Sequence, residues 1–377
     1  MTMKPRTPMH YHAIILTRTG RRLAFLSAVL AVQLTVAPAQ TVSGPTANGP
    51  YTVSVFAPPP AGLTNPDSIT AAERDIFVTY ANNSQPDGSG SSTVVQYSPN
   101  GKTIRTYTIV GRNDGLKFDP RTGKIWALRN EDANPALTII DPKTGQTTDY
   151  TYAQKPAHGG GYDDVAFIDD KIYISASNPT TLPPTATTPN GQNVFPSIVR
   201  AHLSEHLVFV SPILNGDAPL IDITTGQTAT SQQSDPDSLK VDPFGGLVLD
   251  SQADGDLVFV YNPGARRQTS FLLHLTNGTP KQITVDDTVF PTTPSGTILV
   301  VDTGADTVYA VRSNAFQPGG AYSASDSDGI LGKTDLSTGL VTPIVTGMTS
   351  PHGALFISAT GNDSDNGKDD DHRDNSH

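Results

Sequence analysis

The sequence predicts an all-β fold, a six-bladed β-propeller closed by a strand near its N-terminus, and three observations support that expectation. First, a short phrase opening on Asp recurs at Asp67-Ser68-Ile69, Asp114-Gly115-Leu116, Asp164-Val165-Ala166, Asp237-Ser238-Leu239 and Asp287-Thr288-Val289, with a sixth copy, Pro351-His352-Gly353-Ala354, that carries histidine instead. Second, a β-rich run follows each of the five: Ile76-Phe77-Val78, Ile125-Trp126-Ala127, Ile172-Tyr173-Ile174, Leu247-Val248-Leu249 and Ile298-Leu299-Val300. A repeat of roughly 50 residues is the period of four-stranded blades. Third, 33 Gly and 31 Pro suit many turns between short strands, and no long segment shows the 3.6-residue helical period. The interval from 164 to 237 leaves room for a partial seventh blade, so seven blades is the alternative.

In chain order, residues 1–39 have the character of a secretory signal peptide. Lys4, Arg6, Arg18, Arg21 and Arg22 precede an apolar run from Leu23 to Ala37, and Ala37-Pro38-Ala39 supplies a small-x-small exit. That run is short for a membrane span, so the mature chain is expected to be secreted or periplasmic, with no membrane span. Residues 40–66 form a lead-in segment whose strand Tyr51–Phe56, stopped by Pro58-Pro59-Pro60, is expected to complete the last blade; an open ring would leave unpaired edges. Residues 67–359 form the propeller. Residues 360–377, with Asp369-Asp370-Asp371 and little apolar content, are expected to be a disordered acidic tail.

Within the propeller, Asp119, Asp141, Asp222 and Asp335 each open an Asp-x-x-Thr-Gly turn. Asp closes such a turn through its side chain, and Gly supplies the positive φ that re-enters the next strand. Two stretches, 178–197 and 313–329, interrupt the rhythm and are expected to be rim insertions.

The chain has no cysteine, which removes disulfides, thiolate metal sites and cysteine nucleophiles. Its net charge of −11, which becomes more acidic without the basic leader, argues against nucleic acid and anionic membranes as partners.

Innermost propeller strands line a central channel, so equivalent positions converge. Asp67, Asp114, Asp164, Asp237, Asp287 and His352 are therefore expected to ring one channel mouth as a ligand-binding set. Facing carboxylates repel unless a cation or hydrogen-bond donors offset them, and oxygen-only ligands favour Ca²⁺. The alternative is a repeated local role, each Asp accepting backbone N–H groups at a blade junction. A second ring follows the second strands: Asn82 or Asn83, Asn130, Asn178, Asp250 and Asp302, which are equally ordinary turn residues.

Four further motifs have bland readings. His202-Leu203-Ser204-Glu205-His206 matches a zinc-peptidase spacing that needs a helix, but its flanks are strand-like. His158-Gly159-Gly160-Gly161 lacks the nucleophile elbow of an esterase. Asp326-Ser327-Asp328-Gly329 is a fragment of a calcium loop. Asn82-Asn83-Ser84 and Asn277-Gly278-Thr279 are glycosylation sequons.

On the Asp-small-apolar phrase, and most closely on Ser295-Gly296-Thr297-Ile298-Leu299-Val300-Val301-Asp302-Thr303-Gly304 and Pro351-His352-Gly353, residues 65–356 resemble propellers of the NHL and gluconolactonase-like (SMP-30, regucalcin-type) superfamily. In its lactonase branch a Glu, two Asn and an Asp hold a divalent ion in the channel; the blade-opening positions here are Asp. The leading expectation is a monomeric module binding a small molecule or protein at one propeller face; the alternative is a Ca²⁺-dependent lactonase or esterase-like hydrolase at the channel mouth, and a structural role in a cell-envelope assembly is a third. In the second, Asp237, Asp287, Asn130, Asn178 and Asp302 would be the metal candidates. His352 would carry the proton, because imidazole titrates near neutrality. Whether the chain is an enzyme stays open at this point.

Overall fold

A computed structural model describes residues 44–359. The predicted leader and acidic tail lie outside the described residues. What is described is all-β, a propeller built of antiparallel sheets, and none of its helices is long and apolar enough to cross a membrane.

The strand pairings fall into six units of four or more strands among the described residues. From the channel outward, the first blade is Pro66–Ala72, Asp75–Tyr80, Ser91–Tyr97 and Thr103–Val110. The second is Asn113–Asp119, Lys124–Arg129, Ala136–Ile140 and Thr147–Tyr152. The third is Val165–Ile168, Lys171–Ser175, Pro196–Ser204 and Leu207–Asn215. A parallel bridge, Thr151↔Leu207 and Tyr152↔Val208, joins the outer edges of the second and third. The fourth is Pro236–Val241, Leu247–Ser251, Asp256–Tyr261 and Thr269–His274, extended outward by Pro219–Asp222 and Thr228–Thr230. That extension takes up the long interval which left room for a seventh unit.

The last two blades are interleaved. The inner strand of the fifth, Asp287–Val289, pairs with Ala321–Ser325, then come Ile330–Thr334, Val341–Thr346 and the N-terminal Thr46–Ala47. The intervening hairpin, Gly296–Asp302 and Thr307–Ser313, belongs to the sixth blade, between inner strand Pro351–Ser358 and outer strand Thr52–Ala57. Two expectations change as a result. Ile298-Leu299-Val300 is the second strand of the closing blade, not of the blade opened by Asp287. The supposed insertion 313–329 contains the true second strand of the fifth.

Packing explains why the ring closes. Successive side chains of a strand point to opposite faces, so each blade offers an apolar layer to both neighbours. Ile298 and Val300 pack toward the fifth blade with Tyr322 and Leu331, while Leu299 and Val301 pack toward the first with Ile76 and Val78. Val248 faces the fifth blade, and Leu247 and Leu249 face the third. The inner strands contact one another in a closed cycle from the first blade to the sixth and back.

Candidate functional site

The channel mouth is formed where the inner strands begin. In the first, second and fourth blades a register shift separates the opening Pro66, Asn113 or Pro236 from the paired Ile69, Leu116 or Leu239. It is there that Asp67, Asp114 and Asp237 turn into the mouth, joined by Asp163, Asp164 and Asp286. The equivalent blade positions are therefore Asp67, Asp114, Asp163, Asp237, Asp286 and His352, with Ile69, Leu116, Val165, Leu239, Thr288 and Ala354 two residues on.

Two residues predicted for the mouth thus sit one step along the strand. Asp164 lines the opening, but Oδ1 accepts from Val165 N (2.8 Å) and Oδ2 from Leu239 N (3.1 Å). Asp287 Oδ2 accepts from Ala354 N (2.7 Å) and pairs with Lys240 Nζ at 2.9 Å. Ser68 Oγ does the same for Leu116 N (3.1 Å). This second position stitches each odd blade to the next, which is the junction role foreseen as the alternative. In the second and sixth blades it is glycine: a Cβ on Gly115 would lie 1.9 Å from the carbonyl oxygen of Asp163, and one on Gly353 2.6 Å from that of Asp67.

Around the mouth, carboxylates outnumber their partners. Arg112 reaches Asp114 (3.4 Å), Glu131 (3.7 Å) and Asp67 (3.9 Å). His352 Nδ1 lies 2.9 Å from Asp286 Oδ1 and 3.2 Å from Asp67 Oδ1. Burial works against charge on His352, but Asp286 and Asp67 outweigh it and hold the imidazole well above its ordinary range. That direction favours the imidazolium and moves His352 away from the near-neutral titration on which its expected proton-transfer role rests. Burial and the charge of Asp67 push Asp114 up to about 6. Glu131 is pushed well up by burial and Asp114, and Asp163 and Asp237 by burial and proximity to other acids. One oxygen each of Asp114, Glu131 and Asp163 falls within 4.8 Å of the others. Asp114 Oδ2 and Asp163 Oδ2 are buried and accept no hydrogen bond.

The second ring is structural. Asn82, Asn130 and Asn178 have φ of 55°, 60° and 46°, the left-handed conformation that Asn tolerates. Asn130 Oδ1 accepts from Arg112 N (3.0 Å), and its Nδ2 donates to the Asn134 carbonyl. Asn178 bonds to Asp132, and Asp250 accepts from Thr288 Oγ1 (2.9 Å). Asp302 accepts from Ala305 N, Thr349 N and Ser350 N. The side chains of the metal candidates Asn130, Asn178 and Asp302 are thus engaged in hydrogen bonds of turns and loops. Asp302→Ala should cost about 1–2 kcal/mol by leaving three partly exposed backbone donors without their acceptor, measured by urea unfolding, with cation binding unchanged; a loss of binding would restore Asp302 as a ligand.

The remaining motifs take their bland readings. His202 stacks on Phe209 (centroids 5.0 Å apart) in the Pro196–Asn215 hairpin, whose strands hold the two histidines apart from any helical face. His158 Nε2 bonds the Gly161 carbonyl at 2.7 Å. Asp326 and Asp328 bond Thr284 and Lys281 in a turn, and the Asn277 side chain bonds Thr279 of its own sequon.

Glu131, Asp163 and Asp286 were missed. Asp163 could have been found from the doublet Asp163-Asp164 by aligning the phrase on Val165, whereas Asp286 stands two residues before the polar Thr288 and only the doublet Asp286-Asp287 hints at it. Glu131 follows Asn130 outside any repeat, and no periodic signal marks it.

No family model and no curated protein matches the chain. Solved propeller structures do. A streptogramin B lyase is 10% identical over 82% of this chain and 73% of its own, with a TM-score of 0.40. A catalytically inactive virginiamycin B lyase from Staphylococcus aureus with quinupristin is 11% identical over 81% and 96%, with a TM-score of 0.42. A candidate 6-phosphogluconolactonase from Bacteroides uniformis is 13% identical over 80% and 90%, with a TM-score of 0.43. With TM-scores below 0.5, these likenesses carry no conclusion about what this chain does.

Proposed function

We propose that this chain is an exported binding propeller whose channel mouth takes a divalent cation, Ca²⁺ by preference, on Asp114, Glu131 and Asp163. The observation that supports this is the acidic set itself: one oxygen each of Asp114, Glu131 and Asp163 lies within 4.8 Å of the others, Asp163 Oδ2 is buried with no hydrogen bond, and Arg112 Nε, at 3.4 Å from Asp114 Oδ2, is the cation beside them. Buried acids without partners are costly, and a hard cation relieves that cost where Arg112 reaches only part of the set. Three protein carboxylates leave Ca²⁺, which takes six to eight oxygens, with positions for water or for an oxygen of an outside ligand. Arg112 and the Asp67–His352–Asp286 clamp orient the ligand set and hold its shape.

Cation-dependent hydrolysis of lactones or esters is the second reading. When bound, the ion would supply Lewis-acid polarisation of a carbonyl. The space among Asp67, Asp114, Asp163, Asp237 and Asp286 is about 10 Å³, enough for an ion or a water, and binding is the reading that asks no more of it. Calorimetric titration of EDTA-treated protein with Ca²⁺ should show one site. No heat of binding at millimolar Ca²⁺ would sink both readings, and turnover in a lactone and ester screen would promote the second.

A further inference from the structure

Among the described residues Asn precedes Gly five times, and one of those pairs differs from the rest. Gly101 N donates to the Ser98 carbonyl (2.9 Å), Gly191 N to that of Thr188 (2.9 Å), Gly216 N to that of Phe195 (2.8 Å) and Gly278 N to Thr276 Oγ1 (3.0 Å). Gly49 N donates to nothing among the described residues. Asn48 and Gly49 are both exposed, in the turn between Thr46–Ala47 and Thr52–Ala57. A Cβ built on Gly49 would meet nothing within 4 Å, so the space around its nitrogen is open. The Asn48 carboxamide makes a single hydrogen bond, from Nδ2 to the Pro343 carbonyl at 3.4 Å, a length at which such a bond is weak.

We propose that Asn48 is a self-modification site, converting to aspartate and isoaspartate through a cyclic imide formed with Gly49. This holds whether or not the mouth binds a cation. Gly49 N gives its proton to hydroxide and attacks Asn48 Cγ, forming an N–C bond, and no side chain on the glycine shields the nitrogen. The Cγ–Nδ2 bond breaks, and Nδ2 takes up a proton and leaves as ammonia. Water then opens the imide. Attack at Cγ restores the main chain with an aspartate side chain, and attack at the main-chain carbonyl leaves the chain running through Cβ and Cγ as isoaspartate. No oxidant or reductant is involved. The turn so modified ties two blades together: Asn48 N donates to the Ile344 carbonyl (2.8 Å), and Thr46 and Ala47 pair with Thr346 and Val345 of the fifth blade, while Thr52–Ala57 is the outer strand of the sixth. Aspartate turns a carboxylate toward the Pro343 carbonyl in place of a donor, and isoaspartate adds an atom to the main chain. Either loosens Thr46–Ala47 and exposes the edge of Val341–Thr346.

Peptide mapping of the folded full chain during incubation at mildly alkaline pH tests this. The expected result is that the Asn48 peptide gains the mass of the acid several-fold faster than those holding Asn100, Asn190, Asn215 and Asn277, whose glycines must first give up a hydrogen bond. That peptide should also split into two isomers of equal mass, and its lead over the other four should vanish in urea. Equal rates at the five sites in the folded chain would overturn the proposal, as would conversion confined to Asn366-Gly367. A second measurement reads the effect on the turn: Asn48→Asp should speed hydrogen exchange of Thr46 and Ala47 several-fold over the parent. Exchange at the parent's rate in that variant, with the aged parent also unchanged, would overturn the loosening.

Discussion

Asp163→Asn should raise the unfolding midpoint of the EDTA-treated protein and abolish the further rise that Ca²⁺ produces in the parent chain. Both effects follow from one arrangement. Without a cation, Asp163 crowds Asp237, Asp114 and Asp286 in a buried space, and like charges there destabilise the fold. Removing one relieves repulsion and also removes a ligand. In the parent, binding to the native state alone adds about 2.7 kcal/mol at a hundredfold excess over Kd, a shift of several degrees for a chain of this size. Differential scanning calorimetry of both proteins, with Ca²⁺ and with EDTA, reads both effects together. An equal Ca²⁺ shift in the variant would place the cation elsewhere, and a lower midpoint in EDTA would show that Asp163 is partnered, not strained.

In EDTA, stability should fall as pH rises from about 4 to about 6. Asp114 has a folded value near 6 against an ordinary value of 3.8, so the folded state binds its proton more tightly. A raised carboxyl stabilises the fold below its unfolded value, and that contribution is lost as pH climbs to the folded value. For Asp114 alone this is on the order of 3 kcal/mol. Glu131, Asp163, Asp237 and Asp286 are shifted in the same direction. His352 adds the same sign: its raised value contributes stability below its ordinary 6.5 that fades only as pH passes the higher folded value. Saturating Ca²⁺ should flatten the decline, because the ion binds the deprotonated acids. Urea unfolding across the pH range checks this. Stability that rises between pH 4 and 6 in EDTA would mean that the mouth acids are satisfied as anions.

The recurrence of Asp at blade openings was legible because each inner strand needs the same local geometry, and the repeat preserves it. The side chain that reaches the mouth was legible only to within one residue. Strand side chains alternate, so a one-residue slip exchanges the mouth for the blade junction, as it does for Asp164 against Asp163 and Asp287 against Asp286. The second strand of the fifth blade, Ala321–Ser325, is short and carries two serines, so it was taken for part of a loop. The strong β run at Ile298–Val300 was easy to find but gives no sign of which blade it joins. Partner choice there is set by contacts with Pro351–Ser358 and Thr52–Ala57, far away in sequence. Glu131 depends on a loop between strands, where no period constrains the residue.

The interleaving of the last two blades has a consequence for how the chain reaches its native state. The closing sheet draws on residues 52–57, 296–313 and 351–358, so its outer strand is synthesised first and its inner strand last. Pairings so distant in sequence close large loops and form slowly. Thr46–Ala47 and Thr52–Ala57 must therefore wait as free ribbon until nearly the whole chain is available. A nascent or truncated polypeptide lacking Pro351–Ser358 would leave the Gly296–Asp302 edge of the closing sheet unpaired, and an open edge invites aggregation or proteolysis. Topology of this kind acts as a completeness check, since only a full-length chain can bury its last edge.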